Sequence, residues 1–224
     1  MRIGIIAALP REVYELVKGW ERRSIAGGLL VYTKDEAVVA CAGMGAARAA
    51  LAVQAAMAAM PVTELISVGL AGACNPKMRV GEIVRAGVVV DALTGERFID
   101  ARYEQLLVST DAIASVREKA RLHASYHADA VDMEAAAVAR LARTNGLGFH
   151  AIKAISDEAG FELAGLSRFS NEEGYFREAA FALHAALRPA MWSKAITMGR
   201  NSNKAVRALT EALRGELDWY GKNG

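Results

Sequence analysis

Cysteine and histidine are scarce in this chain of 224 residues. It has two cysteines, Cys41 and Cys74, and four histidines. The cysteines lie among small apolar residues and form no Cys-x-x-Cys pair, so we expect buried, reduced thiols and no structural zinc site. His123 and His127 lack the intervening glutamate of a zinc-binding helix, which favours surface positions. The sequence therefore predicts no metal and no cofactor.

A long apolar run and a large excess of charge are also absent. No run approaches the roughly 18 apolar residues of a membrane-spanning helix. The short run at residues 3–9 is better explained as a buried strand than as part of a signal peptide, because Pro10 and two charged residues follow at once. The net charge of +2 is too small to predict a nucleic-acid partner. We expect a cytoplasmic protein that binds no nucleic acid.

The residues that are present predict a folded α/β protein. Hydrophobic residues make up 53% of the chain and charged residues 23%, which is enough to bury a sizeable core. Apolar strand-like segments alternate with helical segments, a pattern typical of a mostly parallel, mixed central sheet between helices. We predict a single three-layer α/β/α fold with its main domain at residues 1–188 and a C-terminal helical extension at 189–224. Within the main domain, a helix is predicted at about residues 172–187.

Acidic residues fall where the predicted strands end. In open α/β sheets, ligands bind at the carboxyl ends of the strands. Three predicted strands end near Glu12, at residues 69–72 and at Asp157, and the segment AVDMEA at residues 130–135 can open a helix at the same edge. We therefore expect Glu12, Glu134 and Asp157 to meet at one pocket.

Each of these acids also has a purely structural interpretation. Glu12 suits the first turn of a helix, where the helix dipole favours a negative charge. Asp132 suits a helix N-cap, with Glu134 in the first turn after it. Asp157 suits a cap or a turn. Taken one at a time, these positions do not distinguish a structural role from a functional one.

Seven short segments occur in an order typical of one superfamily. In chain order they are IGIIAALPREV, GMGAARAA, SVGLAGA, VGEIV, STDAIAS, AVDMEAAAVA and IKAISD. This order resembles the purine nucleoside phosphorylase/uridine phosphorylase superfamily, and most nearly its methylthioadenosine/S-adenosylhomocysteine nucleosidases. The likeness covers residues 2–157 and continues more weakly to about residue 187. It implies a nucleoside phosphorylase-like catalytic domain, a nucleoside substrate, water or phosphate as the nucleophile, and a homodimer.

The resemblance also implies roles for the candidate residues. Asp157 is expected to be the general acid that protonates N7 of the departing adenine, and Glu12 to hold the attacking water. Glu134 is expected to bind the 2′ and 3′ hydroxyls of the ribose. The other substrate-binding residues that it implies are Met133, Ser156, Ala71, Gly72, Asp132, Ile113 and Ala114.

Carboxyl groups suit this chemistry. Cleavage of an N-ribosidic bond leaves positive charge on the ribose and negative charge on the base. A protonated Asp157 would neutralise the base, and general acid catalysis of this kind is worth about 100- to 10,000-fold. Burial favours the protonated form that this role needs. An ionised Glu134 would accept hydroxyl protons and favour the cationic sugar.

The chain departs from the nucleosidase pattern at several positions. Ile113 and Ala114 stand where the nucleosidases carry a phenylalanine that stacks on adenine, so stacking is weaker or comes from another residue. Leu70 replaces a usual serine or threonine, and Asp132 replaces a usual glutamate. Lys153 stands in a predicted buried strand where an arginine is common, so it needs a carboxylate partner, for which Asp132 is the candidate.

The segment at residues 91–108 is shorter than the insertion that helps the nucleosidases close the 5′ pocket. This feature, the apolar Leu70 and a basic tail resemble the hopanoid-associated phosphorylase branch, which is thought to remove adenine from adenosylhopane. We therefore hypothesise a 5′-substituted adenosine with a large, lipidic substituent. The tail at residues 188–218 has six Lys/Arg and three Asp/Glu. It favours packing on the protein itself, with weak membrane-surface contact as the alternative.

Three functions remain open. Hydrolysis is favoured because a carboxylate at Glu12 would repel a phosphate dianion and suits a neutral water. A phosphate-dependent nucleoside phosphorylase is the second, because Arg11 could bind phosphate. A non-catalytic nucleoside-binding domain is the third. The combination of Glu12, Glu134 and Asp157 disfavours the third, since binding alone does not need an acid at the base.

Overall fold

The computed structural model describes residues 1–163 and 192–223. Its strands are β1 (Ile3–Ala7), β2 (Glu21–Ile25), β3 (Leu29–Lys34), β4 (Ala37–Cys41), β5 (Glu64–Ala73), β6 (Ile83–Asp91), β7 (Arg97–Ile99), β8 (Gln105–Ser109), β9 (Ala130–Asp132) and β10 (Gly148–Asp157). Its helices are α1 (Pro10–Val13), α2 (Ala46–Ala59), α3 (Val116–Tyr126), α4 (Ala135–Thr144) and α5 (Trp192–Asn223). The predicted helix at 172–187 and the predicted boundary at residue 188 lie outside the described residues, and the division into two parts stays a prediction.

The strands form one mixed sheet, part of which closes on itself. Parallel pairs join β4 to β1, β1 to β5 and β5 to β10. From β10 the pairing continues through β6, β8 and β9 and returns to β5, which closes a ring of strands. On the other side of β1, antiparallel pairs add β3 and β2 to β4. The prediction of an α/β fold with a mixed central sheet is confirmed.

Helices cover both faces of the sheet, because successive side chains of a strand point to opposite faces. On β1, Ile5 belongs to a buried apolar cluster that contains Leu209 and Leu213 of α5. Its neighbour Ile6 belongs to a second cluster, which contains Val53 of α2 and residues of α4. The three-layer arrangement is therefore confirmed, with α5 packed as part of one layer. Among the described residues, no helix combines the length and the apolar character that crossing a membrane requires.

The segment that begins at Ala130 differs from the expected helix. Ala130–Asp132 is strand β9, which pairs with β5 and β8, and α4 begins only at Ala135. The Ala135 N–H donates a hydrogen bond of 2.9 Å to Asp132 Oδ2, and the Ala136 N–H donates one of 2.9 Å to Ser109 Oγ. Asp132 thus caps the helix from the end of a strand, because pairing on both sides overrides the helix propensity of the local sequence.

Candidate active site

A cavity of about 240 Å³ lies beside the carboxyl ends of β1, β5 and β10. All ten residues predicted for the site line it: Glu12, Ala71, Gly72, Ile113, Ala114, Asp132, Met133, Glu134, Ser156 and Asp157. Residues that the sequence interpretation did not place in the site also line it: Met44, Thr110, Lys119, Phe161, Leu163, Met198, Gly199 and Ser202. The structure therefore brings the three separated acids to one cavity, while their chemical roles stay predictions.

Glu12 reaches the cavity from the short helix α1 and is 4% exposed. Its Oε2 accepts a hydrogen bond of 3.0 Å from the Leu9 N–H, so it also caps its own helix. A Cβ atom on Gly69, where φ is +139°, would lie 3.2 Å from the same oxygen. The missing side chain there gives Glu12 its room. Burial raises the pKa of Glu12, against the Leu9 hydrogen bond and the positive charges of Lys153 and Arg11.

Glu134 stands at the N-cap position of α4 without capping it, because Asp132 and Ser109 already satisfy the first amides. Its Oε1 instead accepts a hydrogen bond of 2.7 Å from the N–H of Gly45, which opens α2. Burial raises the pKa of Glu134 to about 7, and Asp132 and Glu12 add to this effect against Lys153. At neutral pH this carboxyl group can therefore gain or lose a proton with small changes around it.

Lys153 holds these carboxylates together from β10. Its side chain is fully buried, and Nζ lies 2.8 Å from Asp132 Oδ2 and 3.2 Å from the Val68 carbonyl oxygen. Burial alone would lower the pKa of Lys153, but the negative charges of Asp132, Glu134 and Glu12 raise it. The predicted Lys153–Asp132 pair is confirmed. One ammonium group thus faces three carboxyl groups at this end of the cavity.

Asp157 ends β10 and is 4% exposed. The register between β10 and β5 shifts between Ile155 and Asp157, an irregularity of the kind that redirects side chains at sites. The Ser156 hydroxyl donates a hydrogen bond of 2.7 Å to Asp157 Oδ1. Lys119 Nζ forms a close ion pair with Oδ2. Both oxygens of the predicted general acid are thus held by partners.

Lys119 is the principal residue that the sequence interpretation missed. It lies on α3, whose sequence VREKARLHASY is rich in charge, and it is 1% exposed. Its only sequence signal is helical spacing: Lys119 and the buried Leu122 are three residues apart on one face. The sequence interpretation also missed Phe161. It gives the cavity an aromatic side chain, which Ile113 and Ala114 lack.

The fold and the cavity together define an α/β protein with a small-molecule site at the carboxyl edge of its sheet. One group in the site is an aspartate with a hydroxyl and an ammonium partner. A second group consists of Glu12, Glu134 and Asp132 near Lys153. Such groups can donate a proton and stabilise positive charge.

The chain belongs to the phosphorylase superfamily, whose family model matches residues 2–114 and 106–190. This match confirms the superfamily predicted from the sequence, and with it an enzyme of the nucleosidase or nucleoside phosphorylase class. A comparison with curated protein sequences finds no match.

Solved structures of similar fold include hydrolases of nucleosides. Futalosine hydrolase of Helicobacter pylori strain 26695 is 19% identical, with a TM-score of 0.71, covering 97% of this chain and 97% of that chain. The 5′-methylthioadenosine/S-adenosylhomocysteine nucleosidase of Helicobacter pylori, bound to butyl-thio-DADMe-Immucillin-A, is 18% identical with a TM-score of 0.71, covering 97% and 98%. The Neisseria meningitidis nucleosidase of the same kind, bound to methylthio-immucillin-A, is 19% identical with a TM-score of 0.70, covering 95% and 96%. At these identities the similarity shows a common fold.

Proposed function

We propose that this protein uses water to cleave the N-ribosidic bond of a 5′-substituted adenosine and releases adenine. The observation that carries the proposal is that Asp157, Glu12 and Glu134, far apart in sequence, line one cavity. The superfamily match and the fold shared with nucleoside hydrolases support it.

Asp157 is the general acid in this proposal. It lines the cavity with 4% of its surface exposed, and Ser156 contacts one of its oxygens while Lys119 contacts the other. As the bond between C1′ and the base breaks, its electron pair moves to the base, and Asp157 delivers a proton to N7. Held in this way, Asp157 needs little reorganisation at the moment of transfer.

Glu134 and Glu12 act on the sugar and the nucleophile. An ionised Glu134 accepts hydrogen bonds from the 2′ and 3′ hydroxyls and stabilises the positive charge that develops on the ribose. Glu12 orients the attacking water, which becomes the hydroxyl group on C1′. Glu134 and Glu12 lie near Asp132 and Lys153, where three carboxyl groups face one ammonium group. A cationic sugar therefore improves the charge balance of this part of the site.

The substrate class follows from the apolar part of the cavity. Met44, Ile113, Leu163 and Met198 line it, and Met198 comes from α5. An apolar wall favours an apolar 5′ substituent through the burial of hydrocarbon, at about 0.8 kcal/mol for each buried CH₂ group. We therefore propose a large, apolar substituent, with adenosylhopane as the specific candidate.

Phosphorolysis is the second candidate function. Arg11 lines the cavity next to Glu12 and is the observation that favours it, because a guanidinium group binds phosphate well. Glu12 opposes it when ionised, since a buried carboxylate repels a phosphate dianion. The predicted homodimer, cytoplasmic location and weak membrane contact of the tail stay predictions.

Product analysis tests the proposal. The purified protein is incubated with methylthioadenosine and with adenosines that carry 5′-alkylthio chains of increasing length, with and without phosphate. We expect adenine and a free sugar without phosphate, ¹⁸O from labelled water at C1′, and kcat/KM that rises with chain length. A sugar 1-phosphate formed only with phosphate would establish phosphorolysis instead. Nucleoside binding without adenine release from any substrate would leave the non-catalytic function.

A further inference from the structure

Lys119 is a buried cation whose hydrogen-bonding capacity is fully used. Its Nζ pairs with Asp157 Oδ2 and donates hydrogen bonds of 3.1 Å each to the carbonyl oxygens of Glu158 and Phe161. An ammonium group has three donors, so all of them have acceptors. Lys119 therefore has no donor left for a substrate and can act on one only through Asp157.

The surrounding structure is arranged around this pair. A Cβ atom on Gly72 would lie 3.0 Å from Asp157 Oδ2 and 3.0 Å from Lys119 Cε, so a side chain at this position of β5 would crowd the pair. The loop after β10 is tied to α3 a second time, because the Val116 N–H donates a hydrogen bond of 3.2 Å to Glu162. Three elements thus contribute to the pair: α3 carries Lys119, β10 carries Asp157, and β5 leaves space for both at Gly72.

The charges near the pair leave Asp157 as the natural acceptor. Cys74 also faces Lys119, but burial raises the pKa of its thiol to about 12, so it stays neutral. A general acid must receive the proton that it passes on, and the Lys119 ammonium group, in close contact with Asp157 Oδ2, is the adjacent donor.

We propose that Lys119, acting through Asp157, supplies the proton that leaves with the base. This proposal rests on the proposed function and adds to it a proton source and positioning residue.

The step balances in atoms and electrons. As the electron pair of the C1′–N bond moves to the base, Lys119 Nζ gives a proton to Asp157, and Asp157 passes a proton on to N7. Asp157 is again a carboxylate, and Lys119 is left as a neutral amine. Water adds to C1′ and loses a proton to solvent, and solvent returns a proton to Lys119 before the next turnover.

Two substitutions at Lys119 separate proton supply from positioning. In Lys119→Gln the charge and the proton are lost. In Lys119→Arg the charge and the donors remain, but arginine does not give up its proton in proteins. If Lys119 supplies the proton, both variants should lose about 100-fold or more in kcat for adenine release, with KM near the parental value. Arg121→Gln, on the exposed face of the same helix, is the matched control and should keep parental kcat.

The leaving group provides the second readout. A riboside of 4-nitrophenol needs no acid, because 4-nitrophenolate leaves as a stable anion, so both variants should cleave it at rates near the parental one. Recovery of adenine release in Lys119→Arg would reduce Lys119 to a positioning role and overturn proton supply. Equal losses for adenine and 4-nitrophenolate, or no loss at all, would overturn it too. A parental protein that cleaves no nucleoside would refute the proposed function itself, which is a different result.

Discussion

The two ends of β5 and β10 carry buried charged clusters of opposite character. At the amino end, Glu64 accepts hydrogen bonds from Arg102 Nη2 at 3.1 Å and from the Tyr220 hydroxyl at 2.6 Å. His150 Nδ1 lies 2.9 Å from Glu64, and its Nε2 lies 3.4 Å from Glu216. At the carboxyl end, Glu12, Glu134 and Asp132 face Lys153. The first cluster pairs its charges, and the second leaves an excess of negative charge.

The pKa values follow this difference. Burial raises the pKa of Glu64, but the hydrogen bonds from His150, Tyr220 and Arg102 outweigh it and lower the pKa to about 2. Burial also raises the pKa of Glu134, and no sufficient set of partners opposes it, so the pKa reaches about 7. Two glutamates near opposite ends of these strands thus differ: Glu64 is held ionised by its partners, whereas Glu134 titrates near neutral pH.

Helix α5 connects the two ends. Its Glu216 and Tyr220 belong to the amino-end cluster, while Met198 and Ser202 line the cavity. The amino-end cluster therefore anchors a helix whose other part shapes the candidate active site. We expect substitutions at the amino end to change stability and those at the carboxyl end to change turnover.

The largest expected effect is at the carboxyl end. Asp157→Asn removes the carboxyl group that passes the proton to N7 while keeping an acceptor for Lys119, so adenine release should fall by about 100- to 10,000-fold with the fold retained. Steady-state adenine release and thermal unfolding by circular dichroism measure the two properties. Asp35→Asn, at an exposed turn, is the matched control. Turnover near the parental rate in Asp157→Asn would remove the general-acid assignment.

The next effect is on stability at the amino end. Glu64→Gln removes the carboxylate that buried His150 and Tyr220 share, and breaking a buried ion pair costs about 3–5 kcal/mol. The free energy of unfolding in urea should fall by that order, while kcat of the folded protein stays near parental. Glu36→Gln breaks the exposed Arg2–Glu36 pair and should cost at most about 1 kcal/mol. If Glu64→Gln kept its stability but lost turnover, the assignment of stability to the amino end and turnover to the carboxyl end would be wrong.

A smaller effect should appear in the binding of the sugar. Glu134→Gln weakens hydrogen bonds to a charged group worth about 1.5–3 kcal/mol, so KM should rise about 10- to 100-fold. Because the pKa of Glu134 is about 7 and its ionised form binds the hydroxyls, parental kcat/KM should rise as pH increases through 7. In Glu134→Gln, the pH profile of kcat/KM should lack this rise. A Glu134→Gln variant that keeps both the parental KM and the rise of kcat/KM through pH 7 would contradict the role in ribose binding.

Much of the fold could be predicted because β5 and β10 are continuous buried runs, and the rule of strand ends then placed Glu12 and Asp157 together. The short strand β9 could not be predicted. Its three residues precede an Ala-rich helix, and only pairing with β5 and β8 makes them extended. Lys119 was hidden on a charged helix, 38 residues before its partner. Such contacts depend on tertiary structure, about which the local sequence pattern contains little information.

The smallest effect is the pH dependence of the amino-end cluster. Burial lowers the pKa of His150, but Glu216 and Glu64 outweigh this and raise it above its usual value. The stabilisation is therefore complete below about pH 6.5, the usual pKa of histidine, and is lost as pH rises through the raised value. Urea midpoints measured from pH 6 to pH 9 should fall in the parental protein and fall less in His150→Gln. Equal slopes in the two proteins would show that His150 is not the titrating group.

The central claim, that the carboxyl end is a hydrolytic active site, is tested most directly by adenine release in phosphate-free buffer. The parental protein, Asp157→Asn and Glu64→Gln are assayed side by side on the same 5′-alkylthio adenosine, below the unfolding temperature of each. We predict release by the parental protein and by Glu64→Gln, and a loss of at least about 100-fold in Asp157→Asn. No release by the parental protein, or equal release by all three, would contradict the account.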